Sequence, residues 1–242
     1  MRITTEKLTV RYGAVAALSA VSLEIGSGER RAVIGPNGAG KTTLFNAITG
    51  ELRPSSGTVS LDGIEVTRSP AWRRARRGLA RTFQRSTLFP DLDVTENLAL
   101  SVRARVRAGW HFWPGGDAEV RREVTERLEL AGLAGVARSR AGSISHGEQR
   151  ALEIELALAS RPRALLLDEP MAGLSGAERQ QALDRLRALP PEVTLVIVEH
   201  DLDAVFSIAE RISVLNHGVL IADGTAAEVR ANPQVQEVYL GV

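Results

Sequence analysis

The run Gly35-Pro36-Asn37-Gly38-Ala39-Gly40-Lys41-Thr42-Thr43 fits the spacing G-x-x-x-x-G-K-[ST]. The residue types suit a triphosphate. Such a ligand needs many donors at close range, and glycines let backbone N–H groups turn inward without Cβ clashes. A helix that follows the loop adds its positive end. Lys41 supplies a compact ammonium between the β- and γ-phosphates. Thr42 offers a hydroxyl to Mg2+, whose other ligands are waters and phosphate oxygens. A glycine turn can also simply cap a helix. A chance match is expected in about 0.2 per cent of chains of this composition, and Lys41 is one of only two lysines, the other being Lys7. Phosphate binding is the stronger reading.

Further along, Ala164-Leu165-Leu166-Leu167-Asp168-Glu169-Pro170 reads as an apolar strand ending in two acids. In open α/β sheets, ligands collect at the carboxyl ends of strands. Asp168 is placed to hold Mg2+ through water, and Glu169 to orient and deprotonate an attacking water. On their own, acids after a strand would only start a loop. Paired with the phosphate loop, the catalytic reading wins.

The elements that must position these residues follow from periodicity. Alternation predicts antiparallel strands at Ile3–Val10 and Val21–Ile25, with turns at Gly13 and at Gly26-Ser27-Gly28. Arg31–Ile34 is a short strand entering the phosphate loop. Thr42–Thr49 is a helix closed by Gly50, with Pro54 beyond. Gly57–Leu61 and Glu65–Val66 form a hairpin around Asp62-Gly63. Helical patterns then dominate at 70–78, 94–107, 117–131 and 147–159, interrupted by a strand at Leu79–Gln84. The α/β rhythm returns with buried strands Ala164–Leu167 and Thr194–Val198, helices at 176–188 and 201–209, the strand pair Arg211–Leu215 and Val219–Asp223, and a closing helix. The expected layout is an α/β nucleotide-binding core of residues 1–85 and 159–242, with an antiparallel β subdomain, split by a helical subdomain at 86–158.

At this point the chain resembles the ABC ATPases over nearly its whole length. Ile144-Ser145-His146-Gly147-Glu148-Gln149 is similar to their L-S-G-G-Q signature, with His146 at the third position. Read from the residues, Ser145 and Glu148 make a capping box, and the helix end is an anion site. The resemblance implies that Ser145, Gly147 and Glu148 face an ATP held by a second ATPase subunit, in a head-to-tail homo- or heterodimer. It implies that Tyr12 stacks on adenine and that Gln84 of Arg81-Thr82-Phe83-Gln84 senses Mg2+ and a membrane partner. It also implies that His200 is the switch histidine on the γ-phosphate. Ala172-Gly173-Leu174-Ser175 occupies the D-loop, where many relatives end in Asp. The fold implied is a phosphate-loop, RecA-like core, with ATP and Mg2+ as cofactors and ATP hydrolysis as the activity.

Arg-Thr-Phe-Gln, Leu152-Glu153-Ile154, Met171-Ala172-Gly173-Leu174, Val198-Glu199-His200-Asp201 and Asn232-Pro233…Tyr239-Leu240-Gly241 resemble the branched-chain amino acid importer group. Urea or amide importers and a lipopolysaccharide exporter stay as alternatives, as does a non-transport ABC protein. Integral permease subunits and, indirectly, a solute-binding protein are the implied partners. The implied location is cytoplasmic, peripheral on the inner face of the membrane.

Composition narrows the field. With no cysteine, disulfides, thiolate metal sites and cysteine catalysis are excluded. The start Met1–Lys7 has no apolar secretion core, and no run is long enough to span a bilayer, so a soluble chain is expected. The net charge of +1 gives no global pull toward nucleic acid. Arg68, Arg73, Arg74, Arg76, Arg77, Arg81 and Arg85 form a basic stretch, read as a solvated helix face. Trp110-His111-Phe112-Trp113 reads as local packing.

Overall fold

The computed structural model describes residues 1–82, 87–107 and 116–240. Strands β1 (Ile3–Tyr12) and β2 (Val15–Ile25) precede β3 (Arg30–Ile34) and helix α1 (Lys41–Thr49). Next come β4 (Ser56–Leu61), β5 (Ile64–Glu65), α2 (Ala71–Arg76) and β6 (Leu79–Arg81). Helices α3 (Val94–Arg107), α4 (Gly116–Leu130) and α5 (His146–Ala159) lead to β7 (Ala164–Asp168). The chain continues through α6 (Gly176–Arg187), β8 (Thr194–Val198), α7 (Leu202–Ile208), β9 (Arg211–Asn216) and β10 (Val219–Gly224). It closes with α8 (Ala226–Ala231) and α9 (Pro233–Leu240).

The chain divides into two compact units. One comprises Met1–Arg81, Arg163–Pro170 and Arg187–Val242; the other comprises Thr82–Pro162 and Met171–Leu186. The first unit holds two sheets. The antiparallel one runs β2-β1-β4-β5 and the larger one runs β10-β9-β3-β8-β7-β6. In the larger sheet β9, β3, β8, β7 and β6 are parallel, and only β10 is antiparallel to its neighbour. Every residue of β7 and β8 is buried, as a strand covered on both faces requires. Leu44, Phe45, Ala47 and Ile48 of α1 share a core with Val33, Leu166 and Val196 from the larger sheet and with Ile3, Leu8 and Val59 from the smaller. Each Leu, Ile, Val or Phe among them contributes about 1.5–3 kcal/mol by leaving water.

In the second unit, α3, α4 and α5 gather Val94, Leu98, Val102, Val120, Val124, Leu128 and Leu152 into a separate core. Glu155 is fully buried there between Arg127 and Arg185, and Glu123 lies between Arg105, Arg127 and Arg161.

Several elements differ from the periodicity reading. The first hairpin is longer, because β1 and β2 pair out to Tyr12 and Val15 around Gly13. β6 ends at Arg81, and Gln84 lies outside the described residues. The closing helix is two helices. Pro233 cannot continue α8, and Asn232 accepts the Gln234 N–H at 2.9 Å to start α9. The basic stretch is also not one solvated face. Arg74 is 1% exposed, and its guanidinium donates to Ala47 and Ile48 carbonyls, both at 2.7 Å, at the end of α1. It also donates to Thr67 and Ser69 carbonyls. Burial pulls its pKa down to about 10, so it stays charged at neutral pH. The Arg81 side chain also turns inward and is only 6% exposed. The Trp110–Trp113 segment lies outside the described residues.

Candidate active site

Parallel pairing brings three strand ends together. β8 lies between β3 and β7, with Val33 opposite Val198 and Asp168 opposite Val198 on the other side. The segments that leave these ends are the phosphate loop after β3, His200 after β8, and Asp168-Glu169 at β7. Residues that are far apart in sequence therefore share one sheet edge, the usual ligand side of an open α/β sheet.

Two of the loop glycines leave no room for a Cβ. Gly35 has φ +150°, and a Cβ there would lie 2.1 Å from the Leu215 carbonyl oxygen. Gly40 has φ +104°, and a Cβ would lie 2.6 Å from the Ala17 carbonyl oxygen. Asn37 and Gly38 form the exposed crest, Ala39 is buried, and Pro36 O accepts the Ala39 N–H at 3.1 Å. Gly40 is also the N-cap of α1, with no side chain capping the helix. The N–H groups of the first turn, including those of Lys41, Thr42 and Thr43, thus meet no side-chain acceptor at the cap. Lys41 is buried, and its Nζ donates to Gly35 O at 2.7 Å and Pro36 O at 2.9 Å. Burial pulls its pKa below the ordinary lysine value, while the Glu169 and Asp168 carboxylates push it back up.

Asp168 is fully buried, and its Oδ2 pairs with Arg81 at 3.1 Å. Glu169 stands just past β7 with φ 49°, the left-handed region that side-chain-bearing residues rarely enter. Its N–H donates to Val198 O at 2.9 Å, extending the β7–β8 ladder by one rung. Its Oε1 lies 2.6 Å from His200 Nε2. The chain bends sharply at Glu169 while the carboxylate remains partly open to solvent. Such strain is held only where the surroundings over-determine it, as at reacting sites. Tyr12 is 53% exposed at the tip of the first hairpin, an aromatic face open to stacking.

The second unit holds the other predicted group. Ser145 caps α5 in a reciprocal box: its Oγ accepts the Glu148 N–H at 3.2 Å, and its own N–H donates to Glu148 Oε2 at 2.8 Å. Ser145 and His146 are exposed. Gly147 faces the Glu178 carboxylate, which a Cβ would meet at 2.0 Å. Glu178 in turn boxes Ser175, so the Ser175 that departs from Asp serves as a helix cap. These two contacts from Ser175 hold the Glu178 pKa below the usual carboxylate value.

The sequence reading missed Arg81 and Glu178. Arg81 carried one usable signal, a charged residue within the short strand predicted at Leu79–Gln84.

The model of the family described as ABC transporter matches residues 18–172, well over half of the chain. The chain is a member of the ABC transporter family. A second family, described as branched-chain amino acid ATP-binding cassette transporter, matches residues 219–242 of the cassette. The cassette is 38% identical to the high-affinity branched-chain amino acid transport ATP-binding protein BraF of Pseudomonas aeruginosa, over 97% of this chain and 95% of that one. Its fold matches a crystal structure of the ADP conformation of an ABC transporter cassette with a TM-score of 0.86 and 29% identity, covering both chains fully. A dimeric cassette bound to ADP and Pi matches with a TM-score of 0.81 and 26% identity, over 92% of this chain and 98% of that one. No helix among the described residues is long and apolar enough to cross a membrane.

Proposed function

We propose that this chain is the ATP-binding and hydrolysing subunit of an importer for branched-chain amino acids or related small polar solutes. It would work as one of two such subunits beneath integral permease subunits fed by a solute-binding protein, on the cytoplasmic face of the membrane. The Glu169–His200 contact beside the lysine-bearing loop carries this reading. A partly exposed carboxylate touching a histidine is equipped to hold an attacking water and accept its proton. The loop amides from Gly38 to Thr43 and the Lys41 ammonium are suited to bind the phosphates, and Tyr12 to hold the base. His200, turned by nucleotide, would sense the γ-phosphate.

The donor set fits Mg2+. The Thr42 hydroxyl is a hard oxygen ligand, the buried Asp168 carboxylate would hold the ion through water, and Gln84 is a third candidate from the sequence. Among the described residues, no three His, Cys, Asp or Glu side chains cluster to hold a metal. Two protein groups with waters and phosphate oxygens are the pattern expected when the ion arrives with its nucleotide. When bound, it neutralises charge on the phosphates.

Ser145, Gly147 and Glu148 are assigned to the ATP of a second subunit, because a capped helix end with a glycine in its first turn suits an anion. The match of residues 219–242 and the relative's name support the substrate class.

The test is Glu169→Gln. ATP binding should persist, turnover should fall about 10²- to 10⁴-fold, and ATP should drive the chain into a dimer on size-exclusion chromatography. Normal turnover by this variant would remove Glu169 from the role of base. Gentle solubilisation of membranes that carry the tagged chain should co-purify two polytopic subunits. Recovery of ribosomes or DNA-bound proteins instead would refute the transport reading.

A further inference from the structure

Arg81 ties together the two elements that carry the magnesium ligands proposed above. It is the last residue of β6, and its side chain is 6% exposed. One guanidinium nitrogen pairs with Asp168 Oδ2 at 3.1 Å. The other donates to Asn46 Oδ1 and lies 3.5 Å from Thr49 Oγ1 and 3.3 Å from Glu51 Oε2. The guanidinium carbon also sits 5.7 Å from the centre of the Phe45 ring. Phe45, Asn46 and Thr49 all belong to α1, whose first turn holds Lys41 and Thr42. Asp168 closes β7. A single rigid fork therefore spans from the helix of one ligand to the strand of the other.

We infer that Arg81 is a positioning residue for the metal, setting the separation and orientation of Thr42 and Asp168. A planar guanidinium can do this because its donors are fixed and spread across a fork; a lysine offers one compact ammonium, whose donors share a single nitrogen and cannot reach both sides as widely. Groups that orient metal ligands typically matter about 10- to 100-fold in metal affinity. Of the partners named above, Asp168 is a proposed ligand, so the effect belongs to the ion more than to the phosphates. The inference rests on reading Thr42 and Asp168 as the magnesium ligands.

The experiment is a titration of the protein with a fluorescent N-methylanthraniloyl ATP, once in excess Mg2+ and once in EDTA. It compares the unmodified chain, Arg81→Met and Arg81→Lys, with thermal melting of each as a parallel readout. The expected result is that Arg81→Met loses about 10- to 100-fold of the Mg2+-dependent gain in affinity while binding in EDTA shifts less than about threefold. Arg81→Lys should recover part of the gain. If Arg81→Met does not fold, Arg81→Lys and Asn46→Ala carry the comparison; Asn46→Ala loosens the helix end of the fork by removing one of its contacts and should reduce the gain in the same sense. Equal losses in Mg2+ and EDTA would reduce Arg81 to a structural ion pair and overturn the inference, as would an undiminished gain. If the unmodified chain shows no Mg2+-dependent gain, the ligand reading itself falls and takes the inference with it.

Discussion

Replacing Glu169 by glycine should leave a more stable protein than replacing it by alanine, the reverse of the usual order. Both variants lose the carboxylate and its contact with His200, so that loss cancels between them. What remains is the backbone. At φ 49° an L-residue crowds its Cβ against the following carbonyl, at a cost of about 1–2 kcal/mol. Glycine escapes this cost but gives up about 0.5–1 kcal/mol through its greater freedom in the unfolded chain. At the middle of both ranges the difference favours glycine by about 0.75 kcal/mol. In a chain of this length, 1 kcal/mol shifts Tm by about 2–4 °C, so scanning calorimetry should place glycine higher by roughly 1.5–3 °C. Neither variant should hydrolyse ATP. An alanine variant as stable as the glycine one, or more so, would show that the bend at residue 169 carries no strain. The Glu169→Gln variant keeps the bend and should melt near the unmodified chain, which separates loss of chemistry from relief of strain.

Arg74→Met should destabilise the first unit by about 3 kcal/mol, because it leaves several carbonyls, including those at the end of α1, without their charged donor; chemical denaturation reads this directly. Gly35→Ala should yield insoluble chain or no ATP binding, since a Cβ 2.1 Å from the Leu215 carbonyl oxygen has nowhere to move; wild-type nucleotide affinity in a soluble Gly35→Ala protein would refute the packing argument. Glu123 makes the second unit acid-sensitive. Burial raises its pKa, but the Arg127 hydrogen bond and the charges of Arg105, Arg127 and Arg161 outweigh that and leave it below the ordinary glutamate value. Its contribution is therefore present above the unfolded glutamate pKa and is lost as pH falls through the lower folded value. Melting followed from pH 6 downward should show an acid-side decline that flattens in Glu123→Gln.

Local chemistry was legible and long-range pairing was not. The loop glycines, Lys41 and the uninterrupted apolar runs of β7 and β8 state their own conformations, because φ requirements and burial on both faces act residue by residue. The Ser145–Glu148 box is equally local. The 2.6 Å contact between Glu169 and His200 is not. It depends on β8 lying next to β7, and nothing within either run specifies the neighbour. The inward turn of Arg74 and Arg81 was hidden for a related reason. Composition presents seven arginines as equivalent, and only the carbonyls ending α1 and the carboxylate ending β7 distinguish two of them. The split between α8 and α9 is also local, written at Asn232-Pro233, where proline cannot continue a helix.

The order β3-β8-β7 acts as a ruler. Neighbouring strands lie about 4.8 Å apart, so the ends of β3 and β7 stand roughly 10 Å from each other. That gap is set by main-chain hydrogen bonds, not by any side chain at the site. Leu165, Leu166 and Leu167, or Leu195, Val196 and Ile197, can therefore drift among apolar residues of equal summed volume without changing the gauge. A one-residue slip of either strand would instead carry a whole loop out of reach. The tolerance of this cassette to sequence change should be wide along the strands and close to zero in their register.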